Sequence, residues 1–189
     1  MIPQEMYKHL TERIDPNDPA VAAEIHTGIR EPGGITDIHN HMPRLRSAAT
    51  GVVLEIGVRF GTSTCALLSG VEEHGGHLYS VDIDDCGHLF RGHPQWTFIR
   101  ADSVRDVGVI MSQIPRYLDL LFVDGDHSYE AVFSDLLHFG PYAKKIMCHD
   151  ADAGNSPQII QAAKDFLGQS ARHTTLTIFE DSHGLAVIE

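Results

Sequence analysis

Apolar residues fall along this chain in two alternating rhythms. The first is a set of short, near-continuous runs: Val52–Ile56, Leu78–Asp82, Trp96–Ala101, Tyr117–Val123 and Lys145–Cys148. Runs of this length, rich in β-branched residues and ending in glycine or acid, suit parallel strands covered on both faces. The second rhythm is helical. Cys65, Ala66, Leu67, Leu68 and Val71 form one face, halted at His74-Gly75-Gly76. Val104 to Gln113 follows the third strand. Val132, Leu136 and Phe139 mark a helix opening at Ser128, and Ile159, Ile160, Ala163, Phe166 and Leu167 a last one after Ser156-Pro157. The chain closes with Thr174–Phe179 and Leu185–Ile188, joined by Asp181-Ser182-His183-Gly184. A connection this short pairs its strands antiparallel. Five β/α repeats and a terminal hairpin predict an α/β protein, its sheet mostly parallel with one reversed strand.

The segment before the first strand, residues 1–46, has a different texture. Asp15-Pro16-Asn17-Asp18-Pro19 is turn chemistry, Ala20–Ile25 suits a short helix, and Pro32-Gly33-Gly34 breaks it. A helical turn is expected through Leu45 and Ala48. This segment reads as an arm packed on the sheet or as a lid that brings His39 or His41 to a substrate. With residues 47–189 as the core, the whole chain of 189 residues reads as one domain. An arm of this kind often docks on a neighbouring copy, so a homo-oligomer is one expectation.

The first strand feeds a glycine turn, Glu55-Ile56-Gly57-Val58-Arg59-Phe60-Gly61, and then Thr62 and Ser63, either of which can cap a helix. Glycine there lets a ligand approach the main chain, and the helix N-terminus favours anions. The dinucleotide fingerprint needs a third glycine and a closer second one, which Arg59 and Phe60 displace. Asp82 ends the second strand 25 residues after Gly57, where an acid accepts from both ribose hydroxyls. This Glu-x-Gly-x-x-x-Gly turn with its distant acid resembles the class I S-adenosylmethionine-dependent methyltransferases. The resemblance implies their Rossmann-like fold. It also implies S-adenosylmethionine held by Glu55, Gly57, Gly61, Thr62, Ser63 and Asp82, with Asp102, Ser103 and Asp124 completing the cofactor site. At the end of the third strand, Asp102 either accepts from the adenine amino group or simply caps the next helix.

Composition narrows the partners. A net charge of -12 sets the surface against nucleic acid and anionic membranes, which leaves a small molecule. No apolar run is long enough to span a bilayer, and Met1 to Arg13 are too polar for a secretory leader. The three cysteines, Cys65, Cys86 and Cys148, form no disulfide framework or zinc spacing, so they read as reduced and the protein as cytoplasmic. Thirteen histidines are scattered through the chain, and only those inside a motif gain a role.

Asp124, Asp126, His127, His149 and Asp150 follow two consecutive strands, so a parallel sheet gathers them on the rim that holds the glycine turn. Acids at this density repel unless a cation joins them, and oxygen ligands fit Mg²⁺. Phe122-Val123-Asp124-Gly125-Asp126-His127-Ser128-Tyr129 with His149-Asp150 resembles the small-molecule O-methyltransferases related to macrolide-sugar and cephamycin-biosynthesis enzymes. That resemblance implies Mg²⁺ or another divalent metal on Asp124, His149 and Asp150, with His149 standing where those enzymes carry an acid. Imidazole suits Mn²⁺, Fe²⁺ or Zn²⁺ better than magnesium. Asp124, His127 and His149 are then the catalytic candidates, an imidazole serving as general base toward a small hydroxylated acceptor. Two other readings fit the same residues: a binding module that has lost catalysis, and a metal-dependent oxidase or hydroxylase.

Overall fold

Alternation along each strand decides which layer a side chain joins. In the computed structural model, which describes Gln4, Glu5, Tyr7, Lys8 and residues 37–189, β1 is Val52–Ile56, as its apolar run predicts. Leu54 and Ile56 point to one face and Val53 to the other, all buried. The remaining strands are β2 (His77–Asp82), β3 (Trp96–Arg100), β4 (Leu118–Val123), β5 (Ala143–His149), β6 (Leu176–Phe179) and β7 (Leu185–Ile188). They form one sheet in the order β3-β2-β1-β4-β5-β7-β6, with β7 antiparallel to both neighbours and the other pairings parallel.

Helices cover both faces. A 3-10 turn, His39–His41, leads into α1 (Met42–Ala48), which packs with α2 (Thr62–His74) over Val53, Leu78, Leu120 and Phe122. On the other face α3 (Val107–Met111), α4 (Tyr129–Phe139) and α5 (Pro157–Gln169) cover Leu54, Val81, Leu121 and Ile146. Each such fully buried aliphatic side chain contributes about 1.5–3 kcal/mol through lost contact with water. The α1 turn expected through Leu45 and Ala48 is present, and Arg46 lies over the ring of Tyr7 at 4.8 Å. The turn at residues 15–19, the helix at 20–25 and the breaker at 32–34 lie outside the described residues.

Three local expectations differ from the structure. The helix expected from Val104 to Gln113 is only Val107–Met111, because the Asp102 carboxylate takes the Val104 and Arg105 amides into a turn (2.9 and 3.1 Å). Neither Thr62 nor Ser63 caps α2; Gly61 occupies the cap with φ +79°, a left-handed angle that glycine adopts without steric cost. β5 extends to His149, which is therefore a strand residue inside the sheet rather than a loop residue beyond it.

The order of strands reverses direction of growth between β1 and β4. That switch point opens a crevice at the carboxyl ends of the parallel strands, where ligands of open α/β sheets bind.

Candidate active site

The glycine turn is pinned before any ligand is considered. Gly57 donates to the Val81 carbonyl (2.9 Å), and Asp124 donates through its amide to Ile56 (2.8 Å). At Gly57, φ is +93°, and a β-carbon there would strike the Asp124 carbonyl. Asp82 sits at the end of β2, where one carboxylate oxygen accepts the Val58 and Arg59 amides (2.8 and 3.0 Å) and the other accepts the Asp84 amide (2.9 Å). Its carboxylate thus holds the turn in shape and lines the crevice.

Glu55 lies behind this turn, wholly buried. It accepts hydroxyl hydrogens from Ser63 (2.7 Å), Thr64 (2.9 Å) and Ser80 (2.6 Å), and Trp96 donates its indole N–H to Ser80 (3.0 Å). Burial pushes the Glu55 carboxyl up to about 7, partly offset by the three hydroxyls. Glu55 with Ser63 rivets β1 to α2. Neither of them, nor Gly61 or Thr62, lines the crevice, so their sequence-based assignment as cofactor contacts finds no support in the crevice wall.

The crevice holds about 700 Å³, within the range of small-molecule sites. Gly57, Arg59, Asp82, Asp102, Ser103 and Asp124 line it, with exposed Ile83 and Val104 at its rim. Asp102 spends one oxygen on the Val104 and Arg105 amides, which shapes the turn before α3 without capping that helix, while its other oxygen stands 3.4 Å from the Arg105 guanidinium.

At the ends of β4 and β5 the expected acids and imidazoles converge. His149 Nδ1 stands 3.3 Å from both Asp124 Oδ1 and Asp150 Oδ2. His127 Nε2 lies 3.2 Å from Asp150 Oδ2 and 3.7 Å from Asp124 Oδ1. The other nitrogen of His149 faces the Ser182 carbonyl at 3.2 Å and must donate a proton there. Its Nδ1 then offers either a proton to the carboxylates or a lone pair to a cation. Burial alone would lower the His149 pKa, but the two carboxylates outweigh it and hold it well above the usual value. Asp124 is the counterpart: burial would raise it, yet His149 and His127 bring it down to about 2. The neighbouring Asp124 carboxylate, with Asp150, raises the His127 pKa against the effect of burial. Asp126 is spent on the Ser128 amide (2.7 Å), and Ser128 itself caps α4, so Asp126 stands outside the cluster.

Asp124, His127 and Asp150 each offer one ligand atom, all within 4.8 Å of one another, a spacing that fits a divalent cation. His149 contacts both of those acids from the sheet side. Both imidazoles therefore stand beside the two acids: His149, expected there from the sequence, and His127 nearer the rim.

One residue escaped sequence reasoning. His183 Nδ1 is 3.8 Å from Asp150 Oδ1, and Asp37 offers an oxygen to the same group. The turn carrying it has three successive left-handed residues, Ser182 (φ +48°), His183 (+63°) and Gly184 (+86°). Among the described residues, every non-glycine residue with positive φ lies on this rim: Arg59, Asp150, Ser182 and His183. Strain of this kind gathers where geometry is dictated by function. His41 is fully buried and donates Nε2–H to the Asp181 carbonyl (2.8 Å), with its ring edge-on to His149 at 5.6 Å. Burial, then the nearby His149 charge, lowers its pKa. His39 is buried as well, and neither histidine is among the residues that line the crevice.

Residues 54–151, more than half of the chain, match the family model described as a methyltransferase domain. The chain belongs to this methyltransferase family. No curated protein sequence matches it. The fold of this methyltransferase is that of several solved structures. The O-methyltransferase from Bacillus cereus in complex with SAH superposes with a TM-score of 0.65 at 13% identity, over 96% of this chain and 94% of that one. The TDP-rhamnose 3'-O-methyltransferase CalS11 of calicheamicin biosynthesis gives 0.61 at 18% identity, over 99% and 92%. The MycE methyltransferase of the mycinamycin pathway, in complex with Mg, SAH and mycinamycin VI, gives 0.59 at 17% identity, over 80% of this chain and 48% of that one. The chain therefore spans about half the length of MycE. The class I methyltransferase fold expected from the glycine turn and Asp82 is borne out, as is the resemblance to methyltransferases.

Proposed function

We propose that this methyltransferase transfers the methyl group of S-adenosylmethionine to an oxygen of a small hydroxylated acceptor, assisted by a divalent cation. The observation that carries the reading is the convergence of Asp124, His127, His149 and Asp150 on one edge of the crevice. Solved enzymes of the same fold that bind SAH, and in one case Mg beside a macrolide, support it by analogy.

The sulfonium cofactor supplies an already activated methyl group, so the protein's work is alignment and proton removal. Asp82 and the Gly57 turn would receive the ribose and methionine portions, and the Ala101–Ser103 strand end the adenine. Asp124 and Asp150, with the imidazole of His127 or of His149, would hold Mg²⁺ or Mn²⁺, which lowers the pKa of a bound acceptor hydroxyl. His127, partly exposed at the rim, is placed to take the acceptor proton. His149 fixes the orientation of both carboxylates, and its N–H to Ser182 sets the tautomer that leaves Nδ1 facing them. The surface charge of -12 supports a small-molecule partner rather than nucleic acid or an anionic membrane. Among the described residues no helix is long and apolar enough to cross a membrane. Cys65, Cys86 and Cys148, all buried and in no disulfide among the described residues, support a cytoplasmic setting.

Calorimetric titration of S-adenosylhomocysteine into the protein, with and without Mg²⁺, tests the cofactor half. Micromolar binding is expected without metal; no binding sinks the reading. Turnover on a hydroxylated acceptor should vanish with EDTA and return with Mg²⁺ or Mn²⁺. Turnover indifferent to EDTA removes the cation.

A further inference from the structure

Two histidines on different elements donate to successive carbonyls of one turn. His149, at the end of β5, holds Ser182 at 3.2 Å, and His41, in the 3-10 turn before α1, holds Asp181 at 2.8 Å. Their rings meet edge to face, 5.6 Å apart at 75°. The direction of the His41 bond follows from its other nitrogen. Arg44 Nη1 can only donate, and it stands 3.4 Å from His41 Nδ1. Nδ1 therefore accepts, and Nε2 carries the hydrogen that meets Asp181. His149 has a task at the rim, whereas His41 has so far been given none.

The turn they hold, residues 181–184, joins β6 to β7. Ser182 and His183 keep left-handed angles there without being glycine, a conformation that persists only where surrounding contacts dictate it. Those contacts come from two flanks. Just past β5, the Ala151 amide donates to the Gly184 carbonyl (3.3 Å), beside the His149 bond. From the segment before β1, Arg44 donates to the Asp181 carboxylate (3.1 Å) and lies over the Phe179 ring (4.3 Å). That ion pair is open to water on both sides and so is the weaker link; the His41 ring is fully buried. Asp37, in the same segment, offers an oxygen to the group formed by Asp150 and His183.

We propose that His41, seconded by Arg44, is a positioning residue for the cation edge of the rim. Its hold on the Asp181 carbonyl fixes the adjoining Ser182 carbonyl, which sets the tautomer and tilt of His149 against Asp124 and Asp150. The same hold keeps His183 3.8 Å from Asp150. The segment before β1 thereby serves metal binding as well as packing. The inference rests on the divalent-cation reading.

Titration of Mn²⁺ into the full chain, followed by loss of the free Mn²⁺ resonance, tests this beside a titration of S-adenosylhomocysteine without metal. His41→Phe keeps an aromatic ring and removes both nitrogens, and the Asp181 carbonyl still accepts the Gly184 amide (2.9 Å). This variant should weaken Mn²⁺ about tenfold, the lower end of what loss of a partner behind a ligand costs. Its affinity for S-adenosylhomocysteine should stay within about twofold of wild type, because the two sites share no partner. His41→Gln, whose amide N–H can stand in for Nε2–H, should recover most of the Mn²⁺ affinity. Arg44→Ala should cost about threefold in Mn²⁺ binding, the scale of an exposed ion pair. A lower melting temperature in His41→Phe with unchanged Mn²⁺ affinity is the mark of packing alone and overturns the proposal while leaving the cation reading intact. A parallel fall in both ligands marks general damage and overturns it too. Wild-type protein that takes up no Mn²⁺ overturns both. Should His41→Phe fail to fold, Arg44→Ala decides: weaker Mn²⁺ with normal S-adenosylhomocysteine binding sustains the inference, and unchanged Mn²⁺ binding ends it.

Discussion

Two carboxylate settings, one behind the glycine turn and one on the rim, differ in what surrounds them. Glu55 is enclosed by three hydroxyls on Ser63, Thr64 and Ser80, each able to donate without titrating. Asp124 and Asp150 face imidazoles, donors whose protons a bound cation can displace. The first arrangement is closed: no position around Glu55 is left for a ligand. The second is exchangeable, since a cation can replace the imidazole protons and meet the same oxygens. Acids in a cleft therefore sort by the nature of their partners, and counting carboxylates alone would have treated Glu55 and Asp124 alike.

The comparison breaks most easily at Asp124. Asp124→Asn removes a charge that the cation and both imidazoles share, and turnover should fall on the order of a thousandfold. Affinity for S-adenosylhomocysteine should change much less, and single-turnover assays beside calorimetry would separate the two effects. Replacing His127 with alanine should cost about a hundredfold in kcat and move the acidic limb of the pH–rate profile. A profile that keeps its shape would pass the base role to another group. On the turn side, Asp82→Ala should weaken the cofactor about tenfold, because the Val58 and Arg59 amides lose their acceptor. If kcat alone fell in that variant, the two halves of the rim would not be separable.

Glu55→Gln gives the smallest functional effect and the sharpest contrast. The folded carboxyl sits near 7, above its unfolded value of 4.5, so the native state holds the proton more tightly. Stability contributed by that proton is complete below pH 4.5 and is lost as pH rises toward 7, at a cost of about 3 kcal/mol. Glutamine cannot ionise. Urea midpoints should show Glu55→Gln gaining on wild type between pH 5 and pH 8, with cofactor affinity near that of wild type. A variant that tracks wild type across that range would mean Glu55 is ionised throughout.

Much of this was readable from residue order. β1 ends where its β-branched run ends, and α2 stops at Gly75, whose left-handed angle (φ +76°) the Gly75-Gly76 pair foretold. Asp124, His127, His149 and Asp150 were legible as a group because consecutive parallel strands end side by side. What stayed hidden depended on contacts between distant segments. The enclosure of Glu55 needs Ser80, 25 residues away on β2. His183 meets Asp150 only because β7 enters the sheet next to β5, pairing His149 with Leu185. α3 was overlong because the Asp102 carboxylate competes for backbone amides that a helix would otherwise use.

The strand order also fixes a sequence of events during synthesis. β6 is made before β7, yet its sole sheet neighbour is β7, which sits between it and β5. While residues 185–188 remain inside the ribosome, β6 has nowhere to dock, and the Ser182 and Asp181 carbonyls cannot reach His149 and His41. The cofactor side of the rim, built from the ends of β1 to β4, can form on the nascent chain before that. Methyl-transfer competence is therefore expected to arrive last, so that a stalled chain could capture the cofactor without yet being able to spend it.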